Sequence, residues 1–370
     1  MKLIVVGGGV IGCATAWELA RAGCAVTLVE RALPGAEASG AAAGMVAPLG
    51  ESAPAPFRDL SIASWRLFPE VARALHESTG MDVEHMTRGT IYPLYSAHDV
   101  REAQARAAQA IGSELGVEAW DRTELQAREP ALSAKVNGAM FVRGDHWVNN
   151  QRLVVAYAQA AAGAGVVVRT GCAVSQVVIE GARARGVIVE GERLDADGVL
   201  LAAGAWTAGL TASFGQRLPV EPRRGQMVAL AAVPPVVHHC IHADAVYLVP
   251  RPSGELLIGA TVERVGFRRA VTAEGMAGLL GAAIELVPAL AALPIARTWC
   301  GFRPWAPDSL PVLGPWPDVE GLWVATAHFR NGILLAPITA RMMTEWIVKG
   351  RPSMSLEAFL PDRLLRGRQQ

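Results

Sequence analysis

The sequence predicts an α/β chain (α+β overall) built as a discontinuous, Rossmann-like dinucleotide-binding domain with a β-rich second domain. Three observations carry this expectation. A strand, a glycine turn, a helix and a second strand open the chain. Further α/β stretches return in the middle and near the end, and the segments between them are rich in short strands. At 370 residues the chain is too long for one comfortable core, so two packed domains are expected. The first comprises residues 1–85, 150–217 and 301–350, and the second 86–149 with 218–300, leaving 351–370 as a C-terminal tail.

Element by element, Leu3 to Val6 is a short, fully apolar run, the pattern of a parallel strand covered on both faces. A helix is expected from about Val10 to Arg21, ending before Gly23, and the next strand, Val26 to Val29, ends at Glu30. From Ala36 to Pro56 the chain is rich in Ala, Gly, Ser and Pro without helical periodicity and reads as a loop. Residues 57–79 read as helix, 86–96 as strand and 99–115 as an exposed helix. After a helix over 151–163 come strands at 166–168, 174–179 and 199–201. Tyr247 to Val249 and Leu256 to Ile258 form a hairpin around Pro252-Ser253-Gly254. A last strand, Leu322 to Ala325, leads through Gly332 into a helix to about Val348. Leu334, Ile338, Met342 and Trp346 there make one buried stripe.

Composition excludes several classes. Thirty-four basic residues balance thirty-four acidic ones, which gives no electrostatic case for nucleic acid or an anionic membrane as partner. The apolar N-terminal run is broken by glycines and Glu18. A second, 276–295, contains Glu285, Pro288 and Pro294 and reads as a helix ending near Val287, so no transmembrane span is expected. Five scattered cysteines without a CxxC fit reduced thiols in a cytoplasmic protein. His238, His239 and His242 lack the spacing and the second cluster of a metal site, so no metal is expected.

The strongest motif is Gly7-Gly8-Gly9-Val10-Ile11-Gly12. Gly7 makes the tight turn, Gly9 lets backbone approach a pyrophosphate, and Gly12 allows close helix–strand contact. The helix that follows aims its positive end at the phosphates. Glu30 ends the second strand, placed to accept hydrogen bonds from ribose hydroxyls, and its charge disfavours a 2′-phosphate. The small-residue run Ser39 to Met45 suits a flat isoalloxazine lying against backbone, which favours FAD over NAD.

With these residues in hand, the chain resembles the FAD-dependent D-amino-acid oxidase superfamily, and within it the glycine oxidases of the thiamine pathway. The resemblance covers nearly the whole length. It rests on Gly7 to Gly12 with Glu30, on Ser39 to Met45, on Tyr247-Leu248-Val249-Pro250-Arg251, on Gly301-Phe302-Arg303-Pro304 and on His328 to Pro337. It implies non-covalent FAD held at Val10, Ile11, Glu30, Arg31, Ala38 and Ser39, and at Ala43, Gly44, Met45 and Val174. His328, Phe329, Arg330, Asn331, Gly332, Ile333 and Leu334 complete the implied cofactor contacts. It also implies a substrate carboxylate bound by Arg303 with help from Tyr247, near Arg330, and Met45 as a candidate for the pocket wall.

The residue chemistry is consistent with those roles. Arginine's planar fork matches a carboxylate, and Arg303 is expected in a rigid Gly–Phe–Arg–Pro turn. A helix starting after Arg330-Asn331-Gly332 would aim its positive end at the flavin, with Pro337 compatible with its first turn. No side chain is expected as catalytic acid or base, because orientation and the cofactor do most of the work. His328 is read as structural, and Cys300 as an inert thiol rather than a covalent flavin link.

The expected activity is oxidative deamination of glycine, sarcosine or a small D-amino acid, with dioxygen as acceptor, in a homo-oligomer. A D-amino-acid dehydrogenase using a quinone or protein acceptor, an oxidase of N-substituted glycines, and a flavin-binding sensor or assembly protein without turnover are the alternatives.

Overall fold

The computed structural model describes residues 1–49, 54–109 and 114–365. Among them, six strands form one sheet in the order Val312–Pro315, Leu322–Thr326, Gly198–Leu201, Lys2–Val6, Ala25–Val29 and Val167–Arg169. All pairings in it are parallel except that of the Val312–Pro315 edge. The first strand lies in the middle, with Val6 beside both Leu201 and Val29. The turns that leave these three strands, at Gly7, Glu30 and Ala202, therefore open on the same carboxyl-end edge. That edge is where open α/β sheets bind ligands.

One face of this sheet is covered by the helices Val10–Arg21, Asn150–Gly163 and Gly332–Lys349, with the long helix Ala55–Thr79 behind them. The other is covered by an antiparallel sheet of Val174–Glu180, Arg183–Val189 and Glu192–Asp195, through Val177, Ala184 and Val187. Burial on both sides explains why the central strands read as continuous apolar runs.

A mixed sheet of eight strands makes the second body, from Ile295–Trp305 at one edge to Val117–Asp121 at the other. Its two longest strands, Glu221–Ala231 and Ile295–Trp305, pair antiparallel, with Arg223 opposite Arg303 and Gly225 opposite Gly301. Side chains alternate across it. Val228 and Leu230 pack on the helix Ala273–Leu286, whereas Met227 and Ala229 face the other way with Tyr247 and Ala43. The second face is the one that meets the six-stranded sheet's open edge.

Most expected elements form, with several differences. The small-residue segment is not a plain loop: Ala38–Ala41 makes a helical turn, and Met45–Val46 pairs with His146–Trp147. Arg303 lies inside the strand Ile295–Trp305 and not in a turn, so the expected boundary between residues 300 and 301 falls within one continuous strand. The exposed helix runs Ala97–Ala107, and residues 110–113 of its expected range lie outside the described residues, as do 50–53 of the loop and 366–370 of the tail. The apolar segment with Glu285 forms the helix Ala273–Leu286, capped at Val287. No described helix is long and apolar enough to cross a membrane.

The helix Gly332–Lys349 buries twelve of its eighteen residues, because helices pack on it from more than one side. Of the expected stripe, Leu334, Ile338 and Met342 are buried but Trp346 is only half-buried, and burial extends well beyond that stripe. Pro337 sits in the second turn, deeper than expected. Ser64 contacts the helix one residue further on: its hydroxyl donates to the Leu334 carbonyl at 2.6 Å and accepts from the Ile338 amide at 3.3 Å.

Candidate active site

One elongated cavity of about 500 Å³ runs from the carboxyl edge of the six-stranded sheet to the inner face of the eight-stranded one. At the first end, Gly7 adopts a φ of +110°, and a Cβ there would come within 2.5 Å of the Ala202 carbonyl oxygen. A Cβ on Gly12 would collide with the Gly7 carbonyl. Gly9 and Val10 open the following helix beside the cavity, and the Val10 amide donates to Ser39 Oγ at 3.0 Å. A side-chain oxygen thus already lies at the helix's positive end. Glu30 is buried and oriented by two backbone donors, the Gly8 amide on Oε2 at 2.6 Å and the Ala32 amide on Oε1 at 2.8 Å. Each oxygen retains a second lone pair for a further donor. Arg31 pairs with Glu37 at 2.5 Å and lies 3.7 Å over the Trp206 ring.

The middle of the cavity is walled by small residues, Ala41 to Gly44, and by the turn His328 to Gly332. Gly44 takes a φ of +77°, and a Cβ on it would collide with the Val148 carbonyl oxygen. The turn is tied to the neighbouring sheet by the Phe329 amide, which donates to the Pro304 carbonyl at 3.0 Å. Ala327 and Phe329 hold φ values of +60° and +48°, left-handed conformations that non-glycine residues seldom adopt. Gly332 then starts a helix whose first turn faces the cavity, and a Cβ there would meet only His328 Cβ, at 3.7 Å. The His328 ring is buried, with Nε2 3.0 Å from Thr339 Oγ1, and burial pushes its pKa down to about 3. It is a neutral, structural imidazole.

At the far end, Arg303, Tyr247, Met45 and Arg330 share the wall. The Arg303 guanidinium lies over Gly225, where a Cβ would collide with it, and Nη1 donates to the Thr261 carbonyl at 2.9 Å. The Tyr247 hydroxyl is 3.2 Å from Met227 Sδ. Burial pushes the Tyr247 phenol up, opposed by the charges of Arg303 and Arg330, so it is a protonated hydrogen-bond donor at neutral pH. The arrangement is a cationic, donor-rich pocket that suits a small carboxylate.

Of the residues expected at the site, Gly7, Gly9, Val10, Ile11, Glu30, Arg31, Ala38, Ser39, Ala43, Gly44, Met45 and Val174 line the cavity. So do Tyr247, Arg303, His328, Phe329, Arg330, Asn331, Gly332 and Ile333. Gly12 and Leu334 do not: Gly12 packs under the turn at Gly7, and Leu334 is buried in the helical core with its carbonyl on Ser64. Cys300 is buried and is not part of the wall.

Among the wall residues that escaped the sequence reading, His242 and Gly225 bear most on the substrate end. His242 lies directly across the strand pair from Tyr247. Burial, then Arg330, pushes its pKa down to about 4, against Asp244, and its buried Nδ1 has no hydrogen-bond partner among the described residues. In sequence, His242 stands only as one of a group with His238 and His239. His239 turns away to Glu129, 2.6 Å from its Oε1, and only the four-residue turn at 243–246 would have marked His242 as facing Tyr247. Gly225 was missed because its role is to leave room for Arg303.

A dinucleotide with a flat terminal ring fits this cavity. The glycine turn and helix start suit a pyrophosphate, Glu30 suits a ribose, and the residues Ala41 to Gly44 leave space that larger side chains would fill.

Comparison with known proteins agrees. The family described as FAD dependent oxidoreductase (DAO) matches residues 2–346. A glycine oxidase of Pseudomonas putida is 33% identical over 364 residues, covering 98% of each chain. The hydrogen cyanide synthase subunit HcnC of Pseudomonas aeruginosa is 34% identical over 404 residues, 98% of this chain and 95% of that one. The crystal structure of glycine oxidase from Geobacillus kaustophilus superposes with a TM-score of 0.92 at 33% identity, over 98% of this chain and 99% of that one.

Proposed function

The chain belongs to the DAO family of FAD dependent oxidoreductases, and from that membership we propose that it oxidises glycine or a similarly small amine, such as sarcosine or a small D-amino acid. The observation that carries the substrate class is the pairing of Arg303 and Tyr247 on the inner face of the eight-stranded sheet, across the cavity from the small-residue segment.

FAD, when bound, supplies the two-electron hydride acceptor. The chain's own residues supply binding and orientation. Gly9, Val10 and Glu30 would hold the nucleotide end, and the Gly332 helix start would present positive potential to the ring. Arg303 grips the carboxylate in its planar fork and Tyr247 donates a further hydrogen bond, which fixes the carbon bearing the amine against the ring. His242, whose pKa burial pushes down to about 4, adds no positive charge to this end of the cavity at neutral pH. Loss of a hydride from that carbon of a neutral amine leaves an iminium ion, which water hydrolyses to the oxo acid and ammonium, or methylammonium from sarcosine. Dioxygen as final acceptor gives hydrogen peroxide. No side chain is needed as a base on this path.

The five free cysteines support a cytoplasmic location, and the resemblance supports a homo-oligomer, which light scattering measures.

The test is anaerobic addition of glycine, sarcosine, D-alanine, D-proline and longer N-alkyl glycines to the yellow protein, with L-amino acids as control. Bleaching by glycine or sarcosine, with peroxide formed on readmitting air, is expected. Bleaching without peroxide would assign another electron acceptor, and no bleaching by any amine would end the reading. Arg303→Ala is expected to keep FAD and to lose about 100-fold or more in kcat/KM, the scale of removing a charge-assisted carboxylate clamp.

A further inference from the structure

Arg251 closes the hairpin that begins at Tyr247, yet its side chain leaves the sheet and runs behind the small-residue segment. It is only 9% exposed and, among the described residues, has no ion pair with a carboxylate. Its acceptors are neutral oxygens. Nη1 donates to the Val148 carbonyl at 2.6 Å, and Nη2 donates to the Ala43 carbonyl at 2.9 Å and to Asn150 Oδ1 at 3.0 Å. Glu84 and Glu255 act on it only from beyond ion-pair distance, so a guanidinium this deep is costly, and burial pushes its pKa down to about 10.

The network continues from there. Asn150 is itself 3% exposed, and because its Oδ1 accepts from Arg251, its Nδ2 is turned to donate to the Ser39 and Gly40 carbonyls at 2.8 and 2.9 Å. Ser39 Oγ accepts from the Val10 amide at the helix start of the glycine motif. The Val148 amide donates to the Gly44 carbonyl at 2.9 Å, which closes the loop of contacts on the cavity wall. One charged side chain of the substrate-facing sheet thus fixes Ala43, Val148 and Asn150, and through Asn150 the segment that lines the flavin space.

We propose that Arg251 is a positioning residue for the cofactor: its fork locks the segment Ser39 to Gly44 to the hairpin that carries Tyr247, so that the ring and the carboxylate clamp keep one register. This rests on the family's FAD reading of the cavity, and only the mention of the carboxylate clamp rests on the substrate assignment. A plain space-filling role does not require three acceptors arranged around a planar donor. Arg251 also lines a second cavity, with Met86, Trp147 and Leu256, which gives a small cation a route to its position if the side chain is removed.

The test uses the full chain with Arg251→Met, Arg251→Lys and Asn150→Ala. Flavin is stripped and FAD affinity is read by fluorescence quenching, with visible circular dichroism of the saturated protein. Arg251→Met is expected to raise the FAD Kd about tenfold or more, the size of one lost charge-assisted hydrogen bond. Arg251→Lys, which keeps the charge but not the fork, should fall between Met and wild type. Asn150→Ala should weaken FAD, and its effect should not add to that of Arg251→Met, since both break one chain of contacts. Free guanidinium at low millimolar concentration, unlike methylammonium, should recover part of the affinity of Arg251→Met.

A folded Arg251→Met protein with wild-type FAD affinity and visible spectrum overturns the proposal, even if its melting temperature is lowered. So do equal affinities of the Met and Lys variants with no response to guanidinium, which would mark lost bulk rather than a lost fork. If Arg251→Met does not fold, the Lys and Asn150→Ala variants decide by the same constants, and unchanged affinity in both overturns it. A wild-type protein that binds FAD but oxidises no amine ends the substrate reading and leaves the affinity measurement intact.

Discussion

Arg303 and Gly225 show how a residue with no side chain sets the chemistry of one that has a charge. The guanidinium lies over Gly225, so any Cβ there has to displace it, although neither strand need unpair. Gly225→Ala is therefore expected to raise KM for the amine about tenfold or more while FAD affinity stays within twofold, because a misplaced fork loses at least one charge-assisted hydrogen bond. Steady-state kinetics with a parallel flavin titration checks this, and a loss of FAD with unchanged KM would contradict it. Glu30 was legible from its position at the end of the second strand, a purely local signal. His242 was not, since its relation to Tyr247 exists only across a turn.

Among the elements, the helix Gly332–Lys349 depends on a hydroxyl from another helix, 270 residues away in sequence. Ser64→Ala leaves the Leu334 carbonyl and the Ile338 amide without that bridge. It is expected to destabilise the protein by roughly 0.5–1.5 kcal/mol, the scale of one lost buried hydrogen bond, as read by denaturant unfolding of the apoprotein. The segment 260–272 gives a second case. Phe267 stacks on Trp206 at 4.7 Å between ring centres, and Arg269 reaches Glu37 at 2.5 Å, beside the Arg31 pair. These contacts join the substrate sheet to the nucleotide end of the cavity. Exposed pairs contribute about 0.2–1 kcal/mol each, so Arg269→Ala is expected to speed FAD dissociation by up to about fivefold. Salt should speed dissociation from wild type more than from the variant, since screening already removes what the substitution removes. Stopped-flow flavin fluorescence measures both rates.

For the molecule as a whole, buried titratable groups set the acid limit of stability. Burial lowers the pKa of His328 to about 3 and of His146 and His242 to about 4, and it lowers that of His85 too. Each takes up a proton more readily when unfolded, so its contribution is complete above about 6.5 and is lost as pH falls towards those values. Asp145 has the opposite sign. Burial raises it to about 7, so its contribution is complete below its unfolded value near 4 and is lost as pH rises through 7. The imidazoles outnumber the carboxyl, so the melting temperature is expected to fall from pH 6.5 to pH 5. Asp145→Asn, which removes the opposing group, should steepen that fall. A melting temperature that rises on acidification would contradict the balance.

What the sequence determined by itself was everything carried by short-range pattern. The glycine turn, the helix Val10–Arg21, the strands flanking it, the acid at Glu30 and the late turn before Gly332 each depend on residues within one supersecondary unit. Three-dimensional packing decided the rest. The strand Ile295–Trp305 is a strand through Arg303 because Glu221–Ala231 pairs with it along nearly its full length, a partner some seventy residues distant in sequence. The segment Ala38–Ala41 turns helical and Met45 pairs with Trp147 because the chain around Val148, Asn150 and Arg251 presses on them from behind. Periodicity records which face of an element is apolar, but not which distant element will supply its missing hydrogen bonds, and that choice is made only when the sheets and helices close on one another.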